Sequence, residues 1–209
     1  MELLTGFGLA TASGLNAYIP LLSMGLLGRY TNLIHLPPGW SWLENGWVIA
    51  IVAVLLAVEI VADKIPALDS VNDAVQTFIR PTSGGIVFGS GTAAQTAAVT
   101  DPGEFARTGQ WVPIAIGVLT ALSVHLTKTA VRPAANVATA GVAAPVLSTV
   151  EDATSVVLVF VAILLPVLVL VILVVMAWGA FSLWRRMRRR KTPSAPARAD
   201  IKDPDTPQV

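Results

Sequence analysis

Three short stretches hold most of the polar groups in an apolar chain of 209 residues, and they set the chemistry open to it. The first is Gly14-Leu15-Asn16-Ala17-Tyr18-Ile19-Pro20. Pro20 has no N–H, so the carbonyl of Asn16 loses its helical partner. That carbonyl, the Asn16 amide and the Tyr18 hydroxyl place hydrogen-bonding valence inside an apolar segment. At membrane depth such groups must be met by another helix, by water or by a ligand. The stretch is either a broken helix lining a site or a kinked helix that Asn16 joins to a neighbour.

The second stretch is Glu59-Ile60-Val61-Ala62-Asp63-Lys64-Ile65-Pro66. Glu59 and Asp63 are four residues apart and share one helix face. Lys64 is adjacent, and Pro66 frees the carbonyl of Ala62. Glu59 lies deep in its apolar segment, where an ionised carboxyl is costly without a partner. A carboxyl that gains and loses a proton there suits a proton-coupled carrier. Carboxylate oxygens also suit a hard cation, so the identity of any metal stays open. For Asp63 and Lys64 the simpler expectation is an interfacial salt bridge; Glu59 is expected to serve function.

After Pro66, residues Leu68, Val71, Val75, Phe78 and Ile79 fall on one helical face, and Asp69, Asn72, Asp73, Gln76 and Arg80 on the other. This is an amphipathic helix that either lies in a membrane interface or lines a wet cavity. Two acids on the polar face favour the cavity, because anionic lipid prefers Lys and Arg. Further along, His125 has the ring chemistry of a proton relay, although a lone membrane histidine is more often a structural hydrogen-bonder. Glu151 and Asp152 either join the site or cap the last helix. Zinc-hydrolase, serine-hydrolase and phosphate-loop motifs are absent, and only His35 and His125 are histidines, so no catalytic residue, enzyme activity or cofactor is expected.

The elements that must position these groups follow from composition. Hydrophobic residues make up 54% of the chain and charged residues 13%, with mean hydropathy +0.69. A soluble domain carries about 25% charge, so the excess apolar surface is expected to face lipid. Apolar segments run over 3–27, 47–64, 84–99, 111–127 and 153–184. The first and last are the most secure membrane spans, and Pro166 marks a kink in the last. The third is short and rich in Gly and Ala, so it either crosses or is re-entrant. Trp40, Trp42, Trp47, Trp111, Trp178 and Trp184 fit interfacial anchors. Residues 1–184 hold six Lys and Arg against ten acids, whereas Arg185, Arg186, Arg188, Arg189, Arg190 and Lys191 form one basic run. That run predicts a cytoplasmic C-terminus and argues for anionic lipid, not nucleic acid, as its partner. Residues 1–184 therefore read as a membrane-embedded domain and 185–209 as a basic juxtamembrane run with a disordered tail.

A faint internal repeat overlays Trp47–Pro81 on Trp111–Pro145 with nine identities, including Trp47/Trp111, Lys64/Lys128, Asn72/Asn136 and Pro81/Pro145. It suggests repeat units 47–99 and 111–162, a pattern common in transporters.

Gly14-Leu15-Asn16-Ala17-Tyr18 with Pro20, Ala62-Asp63-Lys64 with Pro66 and Asp69, Arg80-Pro81, and Glu151-Asp152 together resemble the bacterial membrane family known as domain of unknown function 4126. The resemblance spans about 3–190 and implies an integral membrane protein of the bacterial inner membrane, without an activity. Glu59…Asp63-Lys64 also looks loosely like the Glu-x-Gly-Asp-Lys motif of cation/proton exchangers, with spacing one residue longer. The expected fold is all-α, a polytopic bundle of four to five transmembrane helices with short interfacial or re-entrant helices, forming a homo-oligomer. The expected function is movement of a small ion or solute, proton-coupled through Glu59. Asn16, Tyr18, Asp63, Asp69 and Asp73 would coordinate or orient the cargo, Arg80 and Lys64 would be counter-charges, and Glu151 and Asp152 would complete the site. The alternatives are a lipid-phosphate translocator gripping headgroups with Arg80, Lys64 and Arg132, and a non-transporting scaffold.

Overall fold

The computed structural model describes residues 2–92, 109, 111–139 and 143–190, and every regular element among them is helical. Helix α1 (Glu2–Leu15) is followed by α2 (Tyr18–Tyr30), then by a 3₁₀ helix (Pro38–Glu44) and α3 (Gly46–Ala62). Next come α4 (Pro66–Gly91), α5 (Trp111–Ala138), α6 (Ala143–Leu164) and α7 (Pro166–Arg190). Proline punctuates the chain as its missing N–H dictates: Pro38, Pro66 and Pro166 each open a helix, where the first N–H groups have no intrahelical partner anyway. Asn45 caps α3, its Oδ1 accepting the Trp47 N–H at 2.9 Å.

Three apolar stretches take a definite form. The apolar segment 3–27 is two helices, broken at Asn16 and Ala17, with Pro20 tolerated in the first turn of α2. The segment 153–184 breaks at Leu165, and its first half belongs to a helix that starts at Ala143. The amphipathic stretch after Pro66 and the small-residue segment beyond it are a single helix, because α4 continues through Pro81 to Gly91. Residues 93–99 and the tail from Lys191 onward lie outside the described residues. Among the described residues α5 and α6 are each long and apolar enough to cross a membrane. The 3₁₀ helix and α3, bent by 61°, make a third candidate if they form one span.

The chain divides into two compact units, Met1–Leu173 and Val174–Val209, and the site lies wholly within the first. There α1 is the central element, packed against α4, α5 and α6. Its residues from Gly8 to Leu15 are all buried. Leu9, Ala12 and Leu15 of α1 meet Val87 of α4 and Leu158, Val159 and Ala162 of α6 in the core. Two glycines set the closest approaches: a Cβ on Gly14 would lie 2.7 Å from the Ala121 carbonyl of α5, and one on Gly84 would lie 2.7 Å from the Gly117 carbonyl. Small residues therefore bring these backbones together, as membrane helices require.

Helices α3 and α4 are inside-out relative to a soluble protein. Val54, Val58 and Val61 of α3 are exposed while Glu59 is buried. On α4, Leu68, Val71, Val75 and Phe78 face outward, and Gln76 and Arg80 are buried. An apolar outside around a charged inside is stable only if the outside meets something as apolar as itself.

A buried charge cluster between two helix breaks

The chain breaks twice beside the same group of side chains. At the first break, Asn16 is fully buried, and its Oδ1 accepts the N–H groups of Tyr18 (3.0 Å) and Ile19 (3.1 Å). This satisfies two of the orphan donors at the start of α2. Its amide Nδ2 donates to Asp152 Oδ1 of α6 at 2.9 Å. The carbonyls around the break are met from other helices: Ala12 O by Ser155 Oγ of α6 (3.1 Å), Leu15 O by Lys128 Nζ of α5 (3.2 Å), and Ala17 O by Ser83 Oγ of α4 (2.6 Å). Both expectations for Asn16 hold together: the helix is broken, and its amide ties two helices.

The second break follows Ala62, where the Asp63 N–H still donates to the Glu59 carbonyl at 2.9 Å before Pro66 starts α4. Asp63 is buried and is the hub of the cluster. Its Oδ1 accepts from Asn72 Nδ2, and its Oδ2 lies 3.4 Å from Arg132, 3.6 Å from Lys128 and 3.8 Å from Arg80. Glu151 of α6 closes this end, its Oε2 2.6 Å from Arg132 and 2.9 Å from Lys128. Asp73 Oδ2 stands 3.9 Å from Arg132 Nη1. Asp73 and Glu151 are the more open members, with side chains 16% and 15% exposed against 2% for Asp63, so the cluster is reached from their side.

The other end is drier and less satisfied. Arg80 Nη2 donates to Glu59 Oε1 at 2.9 Å, with the two side chains 0% and 1% exposed. Arg80 Nη1 lies 3.2 Å from His125 Nδ1. A guanidinium has no acceptor, so Nδ1 must accept and the ring proton sits on Nε2, 3.0 Å from Thr77 Oγ1. His125 thus joins α4 to α5 through both of its ring nitrogens. Tyr18 is buried alongside, its hydroxyl interacting with Glu59 and hydrogen-bonded with the Gln76 side chain. Among the described residues, three buried polar atoms at this end have no hydrogen-bond partner within the protein, Glu59 Oε2, Gln76 Oε1 and Arg80 Nε, and Asp73 Oδ1 is a fourth on the more open side.

Of the residues that the sequence singles out, the structure brings together Asn16, Tyr18, Glu59, Asp63, Asp73, Arg80, Glu151 and Asp152. Lys64 is not among them. It is exposed and donates to the Ile60 carbonyl of its own helix, because it follows Asp63 immediately and points elsewhere. Lys128 and Arg132 are the close counter-charges of Asp63 and Glu151, and Lys64 acts on the cluster only through the field it exerts at Asp152. Asp63 correspondingly makes a buried network instead of an interfacial bridge to Lys64. Asp69 lies on α4, but its side chain is outside the described residues. Glu151 and Asp152 sit well inside α6 and do not cap it. One signal would have found the missing cations: His125, Lys128 and Arg132 are spaced i, i+3, i+7, a polar stripe down an apolar helix. Gln76, Arg80 and Ser83, at i, i+4 and i+7, form a matching stripe on α4.

The described acids and cations do not balance. Glu59, Asp63, Asp73, Glu151 and Asp152 face Arg80, Lys128 and Arg132, an excess of negative charge if all are ionised. Among the described residues no group of three His, Asp or Glu side chains is arranged to hold a metal ion.

Fold and site thus define a class: an all-helical bundle, with helices able to cross a membrane, wrapped around an acid-rich ion cluster. The chain belongs to the family "Domain of unknown function (DUF4126)", whose model matches residues 3–186. No curated protein and no solved structure matches it.

Proposed function

We propose that this chain is a multi-pass protein of a bacterial inner membrane, C-terminus cytoplasmic, that carries a small cation or solute in step with protons. Lipid contact is supported by the outward valines and leucines of α3 and α4 around inward charges. Five crossings follow if α1 with α2, and the 3₁₀ helix with α3, each act as one broken span in addition to α5, α6 and α7. Broken helices whose ends meet at a polar site are the usual construction of such carriers. The basic run after α7 supports the orientation.

The observation that carries the reading is the unsatisfied end of the cluster. A cluster that served only to pin helices would have its polar atoms paired, since an unpaired buried polar atom costs about 1–3 kcal/mol. Here Glu59, Gln76 and Arg80 keep unpaired atoms at the driest point, in a site with surplus negative charge. That surplus favours a cation or proton. It opposes a lipid phosphate, since two of the three cations that would grip it, Arg80 and Arg132, are already held by carboxylates. The paired end, by contrast, suits a scaffold. Glu59→Gln in the full chain, reconstituted into vesicles, separates the readings: pH-dependent flux of a monovalent cation should be lost with folding intact. Unchanged flux and unchanged pH response would remove Glu59 from the mechanism.

A further inference from the structure

We infer that Glu59 and Gln76 together form a proton site, in which a proton on Glu59 Oε2 is donated to Gln76 Oε1. The inference rests on the carrier reading only for its purpose; the site itself stands on geometry.

Glu59 is 1% exposed and Gln76 2%, and the two orphan atoms, Glu59 Oε2 and Gln76 Oε1, are both acceptors. They face the same neighbourhood. Arg80 is one helical turn after Gln76 on α4 and bonds the other oxygen of Glu59. Tyr18 of α2 interacts with both, hydrogen-bonding the Gln76 side chain and sensing the charge of Glu59. The Tyr18 hydroxyl has a single hydrogen and can serve only one of the two acceptors, so the other lacks a donor until a hydrogen is added. Both atoms are almost wholly enclosed, so a proton is the guest that fits without moving a side chain.

The step balances simply. A hydronium ion reaching the cluster from the Asp73 and Glu151 side gives its proton to Glu59 Oε2 and leaves as water. The new O–H donates to Gln76 Oε1, and Glu59 Oε1 remains as a neutral acceptor beside Arg80. The guanidinium, no longer held by a charge at 2.9 Å, has Asp63 Oδ2 at 3.8 Å as its remaining counter-ion. The proton is therefore linked to a choice of partner by Arg80. The groups that surround the site are Tyr18 from α2, Asp63 at the end of α3, Asp73 and Arg80 from α4, and Glu151 from α6. From α5 come His125, Lys128 and Arg132.

Infrared difference spectra of the full chain in vesicles, recorded in H₂O and D₂O as pH is lowered, test this directly. The wild type should develop a carboxylic-acid carbonyl band that shifts down in D₂O. The band should be lost in Glu59→Gln and move to higher frequency in Gln76→Leu, where the O–H has lost its acceptor. Absence of any such band in the wild type, which needs no variant to fold, would overturn the proposal. It would mean that Glu59 stays ionised and the Gln76 amide turns its N–H₂ toward it. A band that persists in Glu59→Gln would assign the proton to another acid and overturn it equally, and an unmoved band in Gln76→Leu would remove Gln76. A band with no flux would sink the carrier reading alone; pH-dependent flux without a band would sink the proton site alone.

Discussion

The two ends of the charge cluster are built from the same residue types and differ in satisfaction. Around Asp63, Lys128, Arg132 and Glu151, each carboxylate meets more than one cation and Asn72 fills a remaining lone pair. Around Glu59, Gln76 and Arg80, one ion pair is made and three polar atoms are left over. Ions taken out of water repay their desolvation only when geometry and hydrogen bonding are complete. The Asp63 end comes close to that condition, with Asp73 Oδ1 its loose atom, which suits it to holding α3, α4, α5 and α6 in register. The Glu59 end falls further short, and Arg80 touches both.

The sharpest way to break this contrast is to cut the fastening end. Arg132→Leu strands Asp63 and Glu151 and should lower unfolding free energy in detergent by about 3–5 kcal/mol, the range for uncompensated buried charge. Lys128→Met should cost about 3 kcal/mol by the same measurement, partly recovered when Glu151→Gln is added, because the second change removes the stranded carboxylate. Asn16→Ala removes the donors' cap at the start of α2 and should cost about 1–2 kcal/mol, read from the midpoint of denaturant unfolding. At the Glu59 end, Glu59→Gln should cost no more than about 1 kcal/mol at a pH where Glu59 carries the inferred proton, since a neutral amide then replaces a neutral acid. A loss as large as that of Arg132→Leu would erase the difference between the two ends. Smallest of all, exposed Lys64→Ala should stay within about 0.5 kcal/mol, while the equivalent position in the repeat, Lys128, does not.

That last pair shows where reading the sequence succeeds and where it stops. The break at Asn16 is foreseeable from Pro20, and the burial of Glu59 from its depth in an apolar segment, because both follow from local rules about N–H groups and desolvation. The split between the two faces of α4 is likewise foreseen: Gln76 and Arg80 are buried and Phe78 is exposed. The repeat misleads over the lysines. Lys64 follows a break that its counterpart lacks, since α5 continues uninterrupted past Lys128 to Ala138, so the same residue type ends on opposite sides. Pro81 misleads in the other direction. It suggests a boundary, yet α4 runs through it while packed closely against α5 at Gly84. Tertiary packing overrides the local signal at that point.

The junction between α1 and α2 has a mechanical meaning. Its loose backbone oxygens, Leu15 O and Ala17 O, are gripped by Lys128 and Ser83, Ser155 adds a second donor to Ala12 O, and its amide is held by Asp152, so three separate helices hold it at once. Nothing there can swing by degrees: releasing one grip while the others stay shut strands a polar group in a medium that offers no substitute. The joint behaves as a multi-point latch, either wholly fastened or wholly undone. Any traffic past it would come in discrete throws separated by long dwells.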